Sequence, residues 1–150
     1  MELPSTSLSS PFETILVVDD DDLVLNMVVA ILESAGFRVL SADSGAHAIK
    51  LAEGTEGPIH LLLSDVDMPQ MSGPQLSEFL KNGRPNMRVM LMSGGDNGLL
   101  VLNYGWAYLQ KPFMAVKLVQ MVTDVLHSPD RSQCRDQFDT RQDIRPNRKS

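Results

Sequence analysis

The residues best placed to do chemistry are aspartates that end apolar runs. Ile15 to Val18 leads directly into Asp19, Asp20, Asp21 and Asp22, and Leu61-Leu62-Leu63-Ser64 leads into Asp65-Val66-Asp67-Met68-Pro69. If both runs are buried strands, their ends bring like charges together at one sheet edge. Such a cluster costs free energy unless a cation or a positive side chain sits in it. Two more polar residues stand after apolar runs: Ser93 after Arg88 to Met92, and Lys111, followed by Pro112, after Trp106 to Gln110. Carboxylates with no Cys, and no His at a strand end, make a hard oxygen site that suits Mg²⁺ better than zinc. Mg²⁺ usually accepts one or two carboxylates and completes its shell with water and phosphate oxygens, so a phosphoryl group is the natural further ligand. Lys111 can hold a phosphate oxygen as a point charge, and Ser93 can hydrogen-bond another.

These residues need elements that carry them to one place. Thr14 to Val18 is β-branched and apolar and predicts a buried strand. Arg38 to Ala42, Ile59 to Ser64, Arg88 to Met92 and Trp106 to Gln110 predict four more. Helices are predicted between them. The first runs over 22–35, with Leu23, Met27, Ala30 and Ile31 as its inward stripe, Asp22 as N-cap and Gly36 as C′ residue. The second covers 44–52, with Ala48, Ile49 and Ala52 inward. The third covers 72–82, with Leu76, Phe79 and Leu80 inward. A short fourth covers 97–103, and a fifth covers 115–127, with Leu118, Val119, Val122, Val125 and Leu126 apolar. Strand alternating with helix implies a parallel sheet covered on both faces, whose sites form beyond the carboxyl ends of the strands. Asp19, Asp20, Asp65, Ser93 and Lys111 all fall at such ends.

Size and charge narrow the function classes. The 150 residues suit one domain, with 43% hydrophobic and 21% charged residues. Residues 1–127 hold 15 acids and 7 bases, whereas 128–150 hold 4 acids and 6 bases. An acidic domain is a poor direct binder of nucleic acid or anionic lipid. Residues 1–12 read as a loose leader, 13–127 as the folded unit, and 128–150 as a polar, disordered tail too short for a helix-turn-helix output domain. The single cysteine, Cys134, allows no disulfide within one chain. The leader lacks the features of a signal peptide, and no stretch reaches the roughly 20 apolar residues of a membrane span, so a cytoplasmic location is expected.

Four motifs in order carry a resemblance: Ile15-Leu16-Val17-Val18-Asp19-Asp20, Asp65-Val66-Asp67-Met68-Pro69 with Gly73, Met92-Ser93-Gly94, and Tyr108-Leu109-Gln110-Lys111-Pro112-Phe113. Together they resemble the receiver domain of response regulators in two-component signalling. The resemblance implies a flavodoxin-like (βα)5 doubly wound parallel sheet with strand order 2-1-3-4-5. It implies that Asp65 is the phosphoacceptor, taking a phosphoryl group from a histidine kinase or phosphotransfer protein. It makes Asp20 and Asp65 side-chain ligands of Mg²⁺, the Asp67 backbone carbonyl a third, and Asp19 a helper acting through water. Lys111 matches the family's lysine, with a cis bond to Pro112. Ser93 matches the switch hydroxyl, and Tyr108 the aromatic that follows it inward. The surface of strand four, strand five and the last helix would then change toward a downstream target protein, and a homodimer is compatible with this reading. The chain is either a stand-alone receiver or a fragment of a longer regulator or hybrid kinase.

Other readings compete. Asp65-x-Asp67 after a buried strand, with Ser93 and Lys111, also resembles the aspartyl-nucleophile phosphatases of the haloacid dehalogenase type. That family places its motif on an early strand and leaves Asp19 and Asp20 unexplained. A nucleotide or flavin binder would need a glycine-rich phosphate loop after the first strand, where four aspartates would repel phosphate. A receiver that binds partners without phosphorylation is opposed by the intact acid pair, Asp65, Ser93 and Lys111. Asp21 and Asp22 read as helix-capping acids. His47, His60, His127, Trp106, Cys134 and the methionines read as surface or packing residues with no chemical role.

Overall fold

The computed structural model of the chain describes residues 12–95 and 104–127. The expectations for 1–11, 97–103 and 128–150 lie outside these. Five strands are described: β1 (Thr14–Val18), β2 (Arg38–Ala42), β3 (Leu61–Asp65), β4 (Arg88–Ser93) and β5 (Ala107–Gln110). Among the described residues they alternate with four helices: α1 (Asp22–Ser34), α2 (Gly45–Glu53), α3 (Gly73–Gly83) and α4 (Ala115–His127). All strand pairs are parallel, in the order β2-β1-β3-β4-β5. This is the doubly wound arrangement expected from the motifs.

The period-2 alternation of the strands divides the core into two layers. Ile15, Val17, Leu61, Leu63, Met90 and Met92 pack on one face against Leu25, Val28 and Leu32 of α1 and Leu118, Val122 and Val125 of α4. Leu16, Val18, Leu62, Val89 and Leu91 pack on the other face against Ala48 and Ala52 of α2 and Leu76 and Leu80 of α3. With both faces covered, β1, β3 and β4 are apolar almost throughout.

Two helix faces differ from the sequence expectation. In α1 the buried residues are Leu25, Val28 and Leu32, whereas Leu23 is 82% exposed and Met27 45% exposed. The stretch from Leu23 to Leu32 is apolar around most of its circumference, so more than one stripe satisfies a helical period, and packing selects among them. The cap is also one residue earlier. Asp21, not Asp22, is extended and accepts the Leu23 and Val24 N–H groups at 3.0 and 3.4 Å. The side chain of Asp19 accepts the Asp21 N–H at 2.9 Å, which holds Asp21 outside the helix. In α3 the buried face is Leu76, Ser77 and Leu80, leaving Phe79 52% exposed. A serine takes the inward position that hydrophobicity alone would give to Phe79. Ser72 caps this helix and closes a capping box with Gln75.

Candidate functional site

β1 and β3 are neighbours where the strand order reverses, which opens a crevice at the carboxyl edge of the sheet. Asp19 and Asp20 follow β1 there, and Asp65 is the last residue of β3. Asp19 is fully buried, Asp65 is 7% exposed and Asp20 lies at the surface. One carboxylate oxygen from each of the three lies within 4.8 Å of the others. From the end of β5, Lys111 reaches into this group. Its Nζ donates to Asp19 Oδ2 at 2.9 Å and to Asp65 Oδ1 at 3.1 Å. The Lys111–Pro112 peptide is cis.

The charges in the crevice do not balance. Three carboxylates face one ammonium, and two of the carboxylates are nearly dry. The mismatch appears in the titration of Asp65, which is raised from 3.8 to about 6. Burial is the main cause; the hydrogen bond and charge of Lys111 pull the other way, and Asp19 and Asp20 push it further up. Lys111 itself is raised. Burial opposes its charge, but the hydrogen bonds and charges of Asp19 and Asp65 outweigh that. A divalent cation held by oxygen would remove the remaining imbalance, and the donor set, three carboxylates with no His or Cys among them, suits Mg²⁺. Asp19 already has a donor on each oxygen, the Asp21 N–H on Oδ1 and Lys111 on Oδ2. Asp20 and Asp65 are therefore better placed to touch an ion directly.

The neighbouring residues frame the crevice. Ser93 ends β4 fully buried; its Oγ accepts the Gly95 N–H at 3.0 Å and its carbonyl accepts the Lys111 N–H at 2.9 Å. The Tyr108 hydroxyl lies within 3.1–3.3 Å of the Ser93 and Gly95 carbonyls and Gln110 Oε1, with its ring half-buried. Asp67 is exposed and stands outside the carboxylate group. The loop from Val66 to Ser72 leaves β3 and returns to α3. It is closed by Val66 N–H to Met92 O at 2.8 Å and Gly73 N–H to Val66 O at 2.9 Å, and it holds Gln70 at φ 72. A left-handed non-glycine residue is strained, and such strain concentrates in loops that serve a site.

The structure thus brings Asp19, Asp20, Asp65 and Lys111 into one cluster, with Ser93 and Tyr108 on the strands beside it. Sequence reasoning missed two buried hydroxyls behind Asp65. Ser64 Oγ donates to the Asp65 carbonyl at 2.9 Å, and Ser77 Oγ to the Gly73 carbonyl at 2.8 Å. Ser64 had one available signal, a hydroxyl inside an otherwise apolar strand. It also missed a structural role for His60, whose Nδ1 accepts the Thr14 N–H at 2.9 Å at the far end of β1.

Comparison with known proteins places the fold in a family. The description "response regulator receiver domain" matches residues 15–123. The chain is 32% identical over 121 residues to the sensor kinase CckA of Brucella abortus (strain 2308), covering 78% of this chain and 13% of the kinase. It is 35% identical over 80 residues to the response regulator receiver protein CpdR of the same organism, covering 53% of this chain and 65% of that protein. The chain therefore spans less than two thirds of the length of these curated relatives. The solved receiver domain of the hybrid histidine kinase CckA aligns with a TM-score of 0.67 at 33% identity, over 76% of this chain and 99% of that one. A response regulator receiver protein from Sinorhizobium medicae WSM419 aligns with a TM-score of 0.72 at 28% identity, over 81% and 100%. The match runs from β1 into α4 and so contains every strand that feeds the acidic crevice. This chain belongs to the response regulator receiver domain family, a signalling module of two-component systems.

Proposed function

We propose that the chain is a phosphorylation-dependent switch whose phosphoacceptor is Asp65. The observation that carries this reading is the ammonium of Lys111 bridging Asp19 and Asp65 at 2.9 and 3.1 Å inside a crevice with an excess of negative charge. A carboxylate there is both nearly dry and held beside a fixed cation. An Asp65 oxygen attacks the phosphorus of a phosphohistidine in line. The O–P bond forms, the P–N bond breaks, and the imidazole nitrogen leaves with the electron pair. Lys111 moves no proton in this step; it holds negative oxygens of the transferring group and keeps Asp65 oriented. When bound by Asp20, Asp65 and the Asp67 carbonyl, Mg²⁺ supplies charge neutralisation for the phosphoryl oxygens. Asp19 holds Lys111 in place and would support the ion through water.

The aspartyl phosphate adds charge and acceptor oxygens at the end of β3. Ser93 Oγ, which holds the Gly95 N–H, exchanges that partner for a phosphoryl oxygen. Tyr108 then leaves its carbonyl partners and turns inward, altering the surface of β4, β5 and α4 that a target protein reads. Water hydrolysing the acyl phosphate resets the switch, so the only reactions catalysed are the module's own labelling and its loss. In this reading the receiver unit spans 13–127 and acts in the cytoplasm. It draws its phosphoryl group from a histidine kinase or phosphotransfer protein and passes the signal to a target protein. Among the described residues, no helix is long and apolar enough to cross a membrane.

The test uses acetyl phosphate as donor with the whole chain. With Mg²⁺, intact mass rises by one phosphoryl group per chain, and a chelator prevents the gain. A phosphomonoester such as p-nitrophenyl phosphate gives no sustained release of phosphate. Steady turnover of that ester would contradict the switch and favour a phosphatase.

A further inference from the structure

Two buried hydroxyls stand behind Asp65 in the layer between the sheet and the helices α2 and α3. Ser64 lies in register with Val18 and Leu91, both members of that layer, and is fully buried. Ser77 on α3 is equally buried. A hydroxyl in such surroundings is tolerated when it is hydrogen-bonded, and each of these donates to a backbone carbonyl at one end of the loop that follows Asp65. Ser64 Oγ holds the carbonyl of Asp65 itself. That bond fixes the peptide between Asp65 and Val66, where the chain turns out of the sheet.

Gly73 also lies close against this peptide. A Cβ on Gly73 would stand 2.4 Å from the Asp65 carbonyl oxygen and 3.1 Å from both the Asp65 carbonyl carbon and Val66 Cα. Only a residue without a side chain lets α3 start this close to Asp65. Ser77 in turn binds the Gly73 carbonyl one helical turn on. The Asp65 peptide is therefore held by a hydroxyl and packed against a bare Cα. The carboxylate of the same residue is aimed at Lys111 and lies among the oxygens of Asp19 and Asp20.

We propose that Ser64, with Gly73 as its counterpart, is a positioning residue that holds Asp65 at the spacing needed to share a divalent cation with Asp20. This rests on the reading of the crevice as a Mg²⁺ site. Ser64 touches neither ion nor phosphoryl group; it acts through the Asp65 backbone.

Mg²⁺ binding to the whole chain, measured by calorimetry well below the melting temperature, tests this without any phosphoryl donor. One neutral hydrogen bond is worth up to about tenfold in an equilibrium constant. Ser64→Ala should weaken Mg²⁺ binding by about two- to tenfold while the protein stays folded, and Ser64→Thr, which restores the hydroxyl, should recover most of it. If Ser64→Ala does not fold, Ser64→Cys, of similar size but a weak donor, takes its place in the comparison. A purely structural role would lower the melting temperature and leave the affinity of the folded protein intact. Unchanged affinity in Ser64→Ala, or equal weakening in the alanine and threonine variants, overturns the proposal. A wild-type protein that takes up no Mg²⁺ overturns the reading of the crevice instead, so the two failures are distinct.

Discussion

Lys111→Met should unfold about 2–3 kcal/mol more readily than the wild type at neutral pH in the presence of a chelator, and should be labelled by acetyl phosphate at least about a hundredfold more slowly. Methionine keeps much of the apolar stem of lysine, so the change removes the charge and leaves most of the packing. What remains is a fully buried Asp19 and a nearly buried Asp65 with no cation between them. Breaking a buried ion pair from one side is destabilising because the partner keeps its desolvation cost without its neutraliser. The lysine side chain is 20% exposed, which holds the effect at or below the ~3–5 kcal/mol of a fully buried pair. The sign with pH follows from the raised lysine. Its contribution is fully present below the unfolded value of 10.5 and is lost only as pH rises through the folded value. The lysine stays charged across neutral pH, so the penalty in Lys111→Met should follow the ionisation of Asp65 beside it and grow as pH rises. Added Mg²⁺ should recover part of the stability but not the labelling rate. Urea denaturation with and without Mg²⁺ reads the first quantity, and a midpoint equal to that of the wild type would remove Lys111 from the account.

Asp65→Asn should be more stable than the wild type at neutral pH without divalent ions, by about 2–3 kcal/mol. The carboxyl of Asp65 is raised from 3.8 to about 6, chiefly by burial. A group raised in the folded state contributes stability that is present below its unfolded value and is lost as pH rises through the folded one. The wild type thus loses stability between about pH 4 and pH 6, whereas the amide cannot ionise and does not. The two proteins should melt together near pH 4 and separate as pH rises. Mg²⁺ should close the gap by favouring the ionised wild type. Parallel melting profiles from pH 4 to pH 8 would show that Asp65 is not held in a nearly dry, negatively crowded place.

Much of the site was legible because strand ends are conspicuous when charge interrupts a buried run. β1, β2 and α4 begin and end where the pattern placed them, at Thr14–Val18, Arg38–Ala42 and Ala115–His127. The four residues that meet in the crevice, Asp19, Asp20, Asp65 and Lys111, were all named from strand ends. What escaped was set by packing between elements. The inward face of α1 could not be chosen from a segment apolar nearly all round, and its cap shifted to Asp21 because the side chain of Asp19 holds that residue's N–H. In α3 the buried face runs through Leu76, Ser77 and Leu80, with Ser77 bonded to the Gly73 carbonyl, and Phe79 is left outside. Ser64 offered one signal, a hydroxyl inside an apolar strand, and that signal did not say what the hydroxyl does. A serine carries little information about burial, and its partner is a backbone carbonyl that has no sequence signature.

In the proposed switch, one aspartyl oxygen in this crevice becomes covalently bound to phosphorus. The direct measurement is to label the wild type and Asp65→Asn with acetyl phosphate and Mg²⁺, trap the acyl phosphate by reduction, and locate the modified residue by peptide mass spectrometry. A single modified position, Asp65, is expected in the wild type, and none in Asp65→Asn. Label at another residue of the wild type, or equal labelling of the two proteins, would contradict it.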